Sequence, residues 1–153
     1  MSILFDPRTF PERPPSEVEW EDILLRVEIA PRALRVAIDD VAPGHPGLSP
    51  VLQTAVLSER ILHLQFEALA AGEDSPEIAG IEGIGTDPAT LADDFVRLRS
   101  RTFAMVQRRG LNVWEWRVRG GAFDGATSYQ LLQATAAADG AWLKAIRSMT
   151  GTP

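Results

Sequence analysis

The sequence predicts an all-α protein, a four-helix up-down bundle, and three observations carry that prediction. Four stretches repeat apolar residues at spacings of three and four, the period of a helix with one face in a core. Helix-starting signals precede them: Ser16, Ser49-Pro50, Asp87-Pro88 and Thr127. Segments dense in Gly and Pro break the chain between the stretches. At 153 residues the chain has the length of one domain. Residues 1–15 read as an extended Pro-rich arm and residues 16–150 as a single helical domain.

The arm carries Pro7, Pro11, Pro14 and Pro15, which oppose a helix, while Ile3, Leu4, Phe5 and Phe10 can tuck it against the body. The first helix opens at Ser16 or Glu17. Its stripe is Trp20, Ile23, Leu24, Val27, Ala30, Leu34, Ile38 and Val41, and Pro31 is expected to kink or restart it. After the loop APGHPGLSP, Ser49 is the expected N-cap of a second helix that ends near Gly72. That helix is apolar on two sides, which predicts that it is largely surrounded. A long Gly-rich, acidic segment, residues 72–87, leads to the third helix, whose stripe is Leu91, Phe95, Leu98, Thr102, Met105 and Val106. The fourth runs from Thr127 to Arg147. Thr127 and Gln130 have the spacing of a capping box, and Leu131, Ala134, Ala138, Trp142, Ala145 and Met149 form the stripe. Gly140 lies inside this helix, at a cost of roughly 1 kcal/mol against Ala.

Composition excludes several function classes. Net charge is -6, which opposes non-specific binding to nucleic acid or to an anionic membrane surface. No run of apolar residues is long enough for a membrane span, and the start, MSILFDPRTF, has no secretory pattern, so the cytoplasm is expected. There is no Cys, hence no disulfide, no thiolate nucleophile and no thiolate metal site in the chain. Arg97, Arg99, Arg101, Arg108 and Arg109 make the third helix locally basic, which reads as a solvated face. GIEGIG lacks the strand–turn–helix context of a phosphate loop.

The residues that invite a chemical reading are Glu59, His63 and Arg99. A carboxylate and an imidazole one turn apart can ligate a metal or act as an acid–base pair. In or beside an apolar stripe, they can equally be buried groups satisfied by neighbours, with Arg99 as the natural cation for Glu59. Trp114, Trp116 and Trp142 can line a pocket, although aromatics in a bundle are ordinarily core.

Several landmarks between residues 20 and 148 resemble the DinB/YfiT-like family. They are the Pro31 region of the first helix, the run DPATLADDFVRLRSRTFAMV with Phe95 and Arg99, the Trp114 or Trp116 position, Gly125 with Thr127, and ATAAADGAWLKAIR with Asp139, Leu143, Ile146 and Arg147. The resemblance implies a four-helix bundle, pairing as a homodimer, and a divalent metal held by three His for thiol-dependent S-transferase or isomerase chemistry. The two His of the last helix fall on Ala138 and Trp142. The third falls on Thr54, or on Val56 if the register is anchored at Ser49-Pro50. Neither Ala138 nor Trp142 can ligate a metal, and neither Thr54 nor Val56 is His, so the family's three ligands are absent. The expectation is therefore a DinB-like protein without metal or other cofactor, acting as a small-molecule-binding or structural interaction homodimer. A small apolar pocket is expected near Thr54, Glu59 and Trp142. The alternative is a divergent thiol-dependent transferase or isomerase that uses Glu59, His63 and Arg99.

Overall fold

The computed structural model describes residues 5–76, 83–109 and 116–150. Four helices form it: α1 (Glu17–Asp39), α2 (Leu48–Ala71), α3 (Pro88–Arg109) and α4 (Ser128–Ser148). Among the described residues there is no strand, and an isolated antiparallel bridge joins Arg117 to Thr127. The protein is all-α, a four-helix bundle.

The caps show why the helices start where they do. The Ser16 hydroxyl accepts from the Glu19 amide at 3.1 Å, and the Glu19 carboxylate accepts from the Ser16 amide at 3.1 Å. The expected capping box of α4 forms in the same way between Thr127 and Gln130. Asp87 caps α3 by accepting from the Thr90 amide at 3.0 Å. At α2 the expected cap is displaced by two residues: the helix starts at Leu48 with Gly47 as N-cap, and the Ser49 hydroxyl donates instead to the Thr86 carbonyl at 2.7 Å. Gly72 closes α2 in the left-handed conformation (φ 70°), and the amides of Gly72 and Glu73 return to the carbonyls of Leu69 and Ala68.

Two other expectations change. α1 neither stops nor restarts at Pro31 but runs through it, for a reason found on α3 and described below. The arm is not wholly extended: Pro7–Thr9 make a 3-10 turn capped by Asp6. The arm lies along α4, with Pro7 and Pro15 buried and the Gln130 side chain donating to the Phe10 carbonyl at 2.8 Å. Phe5 meets Phe10 edge-on, whereas Ile3 and Leu4 lie outside the described residues. Gly140 is exposed, with nothing within 4 Å of where a Cβ would sit, so its helix cost has no packing return.

The up-down alternation holds from α1 to α2 and from α3 to α4 but not from α2 to α3. Ser49 and Gln53 bond the carbonyls of Thr86 and Gly85, just before α3, while Glu59 meets Arg99 and His63 meets Thr102. α2 and α3 therefore run parallel, and residues 73–87 carry the chain from the end of one to the start of the other. A connection of that length is what a parallel neighbour requires.

The buried apolar residues fall into two clusters. One gathers Trp20, Ile23, Val27, Ile61, Leu62, Phe66, Val106, Tyr129, Leu131 and Leu132, with Val118, Phe123 and Ala126 from the loop before α4. The other gathers Leu34, Ala37, Leu52, Val56, Leu91, Phe95, Ala138, Trp142 and Ile146. A charged layer separates them.

Candidate functional site

The layer is built from all four helices. Arg99 projects from α3 and is 3% exposed, Glu59 from α2 at 2%, and Asp139 from α4 at 6%. The Arg99 Nε donates to both Glu59 oxygens at 3.0 and 3.1 Å, and Nη2 donates to Glu59 Oε2 at 2.6 Å. Asp139 accepts from Nη1 and Nη2, each at 2.8 Å. Nη1 also donates to the backbone carbonyl of Val27 in α1 at 2.9 Å. A guanidinium has five N–H groups in a fixed fork, and these partners occupy all of them. The Phe95 ring lies 5.0 Å below the guanidinium carbon.

Pro31 explains the third hydrogen-bond partner, the Val27 carbonyl. An amide at position 31 would ordinarily donate to the carbonyl of Val27, four residues earlier, and proline has no N–H to give. The orphaned carbonyl is the one that Arg99 takes. The helix continues because an arginine from another helix satisfies the group that the proline leaves open.

With both carboxylates ionised, the layer carries one net negative charge in a buried place. Burial works against the Arg99 charge, but Glu59 and Asp139 outweigh it and hold the guanidinium above its ordinary range. Burial pushes the Asp139 carboxyl above the ordinary aspartate range, against the pull of Arg99 and with the push of Glu59. Beside the layer is a cavity of about 10 Å³ lined by Val27, Phe66, Arg99, Thr102 and Thr135 among others, room for at most about one water molecule.

His63 does not join this layer. Its Nδ1 is 2.8 Å from the Thr102 hydroxyl and its Nε2 is 2.8 Å from Glu67. The imidazole is buried, while the Glu67 side chain is 54% exposed. Trp142 and Ala138 lie in the apolar cluster on one side of the layer, together with Val56. Thr54 is exposed, and its hydroxyl donates to the Pro50 carbonyl at 3.0 Å. Of the pocket residues named from sequence, the structure brings Glu59 and Arg99 into direct contact. It sets His63 one turn away with other partners, buries Trp142 in the core, and turns Thr54 to solvent. Among the described residues no three His, Cys, Asp or Glu stand close enough to hold a metal ion. His45 sits in the α1–α2 loop, accepting from the Gly47 amide at 3.0 Å.

The larger openings lie elsewhere. A groove of about 440 Å³ runs past Leu69, Gly72, Arg109, Trp116, Arg117 and Arg119 at the end of α2. Another of about 300 Å³ lies between the arm, α1 and α4, bordered by Phe10, Glu19, Arg26, Tyr129 and Gln133. Trp116 is half-buried under the Arg109 guanidinium at 5.4 Å; Trp114 lies outside the described residues.

Sequence reasoning paired Arg99 with Glu59 but did not find Asp139 as the second partner. The signal was present: an acid beside Ala138 on the buried stripe of α4, where a charge needs a cation. The Val27 carbonyl was foretold only by the missing amide of Pro31.

No protein-family model matches the chain, and no curated protein or solved structure matches it either. No helix among the described residues is long and apolar enough to cross a membrane.

Proposed function

We propose that the chain is a cytoplasmic interaction protein of the DinB/YfiT-like kind, a homodimeric bundle without metal chemistry. One observation carries the reading: the cation that lies among the candidate catalytic groups has no N–H left for a substrate. Arg99, Glu59 and Asp139 spend their bonding on one another and on Val27, behind less than a tenth of their surface. Such a constellation fixes the relative positions of four helices. The burial of Val56, Ala138 and Trp142 in apolar core supports the loss of a metal site at those positions. The resemblance over residues 20–148 supports the ancestry.

Small-molecule binding is the second reading, favoured by the arginine-lined groove at Trp116 rather than by the surroundings of Trp142. The thiol-dependent transferase or isomerase alternative requires Glu59, His63 and Arg99 to face one cleft, and the burial of Glu59 and Arg99 and the separate partners of His63 weigh against it. Elemental analysis of protein purified without chelator or affinity tag tests the metal-free reading. Expected is less than about a tenth of an equivalent of metal per chain after incubation with zinc and with nickel, and no thermal shift. Stoichiometric metal that raises the melting temperature would overturn it.

A further inference from the structure

The inner face of α1 supplies Val27 to the charged layer, and its outer face has a pattern of its own. Val18, Leu25, Ile29 and Val36 are 75%, 52%, 48% and 64% exposed, and they are four of the five large hydrophobics exposed among the described residues. With about 100° of rotation per residue, all four fall within roughly 20° of one line along the helix. Asp22 and Arg32, both exposed, complete a row of alternating four- and three-residue steps. The outer faces of α3 and α4 are built differently, with Asp93, Arg97 and Arg101 on one and Lys144 and Arg147 on the other.

The row is symmetric in its spacing and complementary in its charges about its middle. Taking Val27 as the centre, Val18 mirrors Val36, Asp22 mirrors Arg32, and Leu25 mirrors Ile29. About a two-fold axis each contact is made twice, since a residue that meets a second on the partner is met by the first in turn, so a face whose mirrored residues are apolar with apolar and acid with base is complementary to its own copy. We propose that this face is an interface with a second copy of the chain, α1 packed antiparallel on its mate about an axis at Val27. The proposal rests on the homodimer reading above and names its face and register. Val18 then meets the partner's Val36, Leu25 meets the partner's Ile29, and Asp22 meets the partner's Arg32, so every layer is apolar on apolar or acid on base. An unrelated partner would give no reason for acid and base to fall at mirrored places.

The seam spans about 27 Å of helix. Its two Asp–Arg layers are exposed at the rim and serve the register more than the affinity. In the free chain Asp22 is held by Arg26 at 3.1 Å, with both side chains more than half exposed, so it can turn toward the seam. Arg26 and Glu28 flank the axis and each faces its own mate, which opposes association. These terms set the expected dissociation constant on the order of micromolar.

The chain has no Cys, so introduced thiols report on this face alone. Sedimentation equilibrium of the full chain is expected to show a concentration-dependent dimer. Leu25→Glu is expected to weaken it at least about tenfold while the helical circular dichroism is retained, because Leu25 is exposed in the subunit. Oxidising a mixture of Leu25→Cys and Ile29→Cys proteins is expected to cross-link them to each other more than either cross-links to itself. A wild-type chain that stays monomeric would overturn both this interface and the homodimer reading. A dimer indifferent to Leu25→Glu would overturn only the interface. A sensitive dimer whose mixed thiols do not cross-link preferentially would overturn the antiparallel register.

Discussion

Glu59 and His63 lie one turn apart on the same helix, yet they belong to different kinds of structure. At the level of Glu59 all four helices converge, and every polar atom must find its partner inside the protein. At the level of His63 the ring is as well buried, but it leads through Glu67 to solvent. The first arrangement is a closed charge cluster in a medium where unpaired charge is very costly. The second is a hydrogen-bonded relay with one end in water, where screening makes each link modest. Spacing along a helix makes two side chains neighbours. Depth, and the number of other helices that reach the same level, decides whether they share a task.

The contrast predicts unequal costs. Arg99→Ala leaves two buried carboxylates facing an empty space, and a loss of about 4 kcal/mol is expected. Urea denaturation at neutral pH measures it, and a loss below about 1 kcal/mol would erase the distinction between the two levels. A companion variant sharpens the point: replacing the three together with apolar residues, as Glu59→Leu, Arg99→Met and Asp139→Leu, should recover much of that loss. The cost in the single variant comes from stranded charge and not from the absence of a favourable pair.

Thr102→Val tests the other level. The substitution keeps the shape and removes the hydroxyl that His63 Nδ1 meets at 2.8 Å, and it also releases the bond from that hydroxyl to the Leu98 carbonyl. A loss of about 1 kcal/mol is expected from the same denaturation series, the ordinary net value of a hydrogen bond. A loss equal to that of Arg99→Ala would mean that His63 belongs to the layer after all.

Much of this architecture was legible in the sequence because it depends on local signals. Apolar periodicity placed the four helices, Thr127 and Gln130 form the capping box that their spacing predicted, and Asp87, expected to start the third helix, caps it through the Thr90 amide. The pairing of Arg99 with Glu59 was legible because a buried acid needs a cation. What was not legible depends on relations between distant segments. The direction of α3 is seen in contacts such as Ser49 with Thr86 and Glu59 with Arg99, and composition does not record them. Asp139 is forty residues from Arg99, and only the packing of α4 against α3 brings them together. The start of α2 moved because the Ser49 hydroxyl, a good local cap, found the Thr86 carbonyl instead. Pro31 was read by its usual local effect, a kink or a restart; α1 does not restart there, and the carbonyl that the proline orphans is met by an arginine on another helix.

That last point yields the smallest expected effect and the finest test of the layer. In a helix interior, proline is ordinarily about 3 kcal/mol less favourable than alanine, because it removes a hydrogen bond and crowds the carbonyl four residues back. In this protein that carbonyl, Val27, already accepts from Arg99 Nη1 at 2.9 Å. In Pro31→Ala, the restored amide meets an oxygen that Arg99 already satisfies, so the added bond shares its acceptor and rescues no orphaned group, and it returns less than usual. The expected change in stability is below about 1 kcal/mol, well short of the usual gain. It is read by urea denaturation beside a Pro31→Ala, Arg99→Met double variant, in which that oxygen is no longer shared and the alanine should recover more of its ordinary advantage. A full gain of about 3 kcal/mol in the single variant would mean that the Arg99–Val27 bond contributes nothing. The layer would then be held by its carboxylates alone, and α1 would be bound to it only by apolar contact.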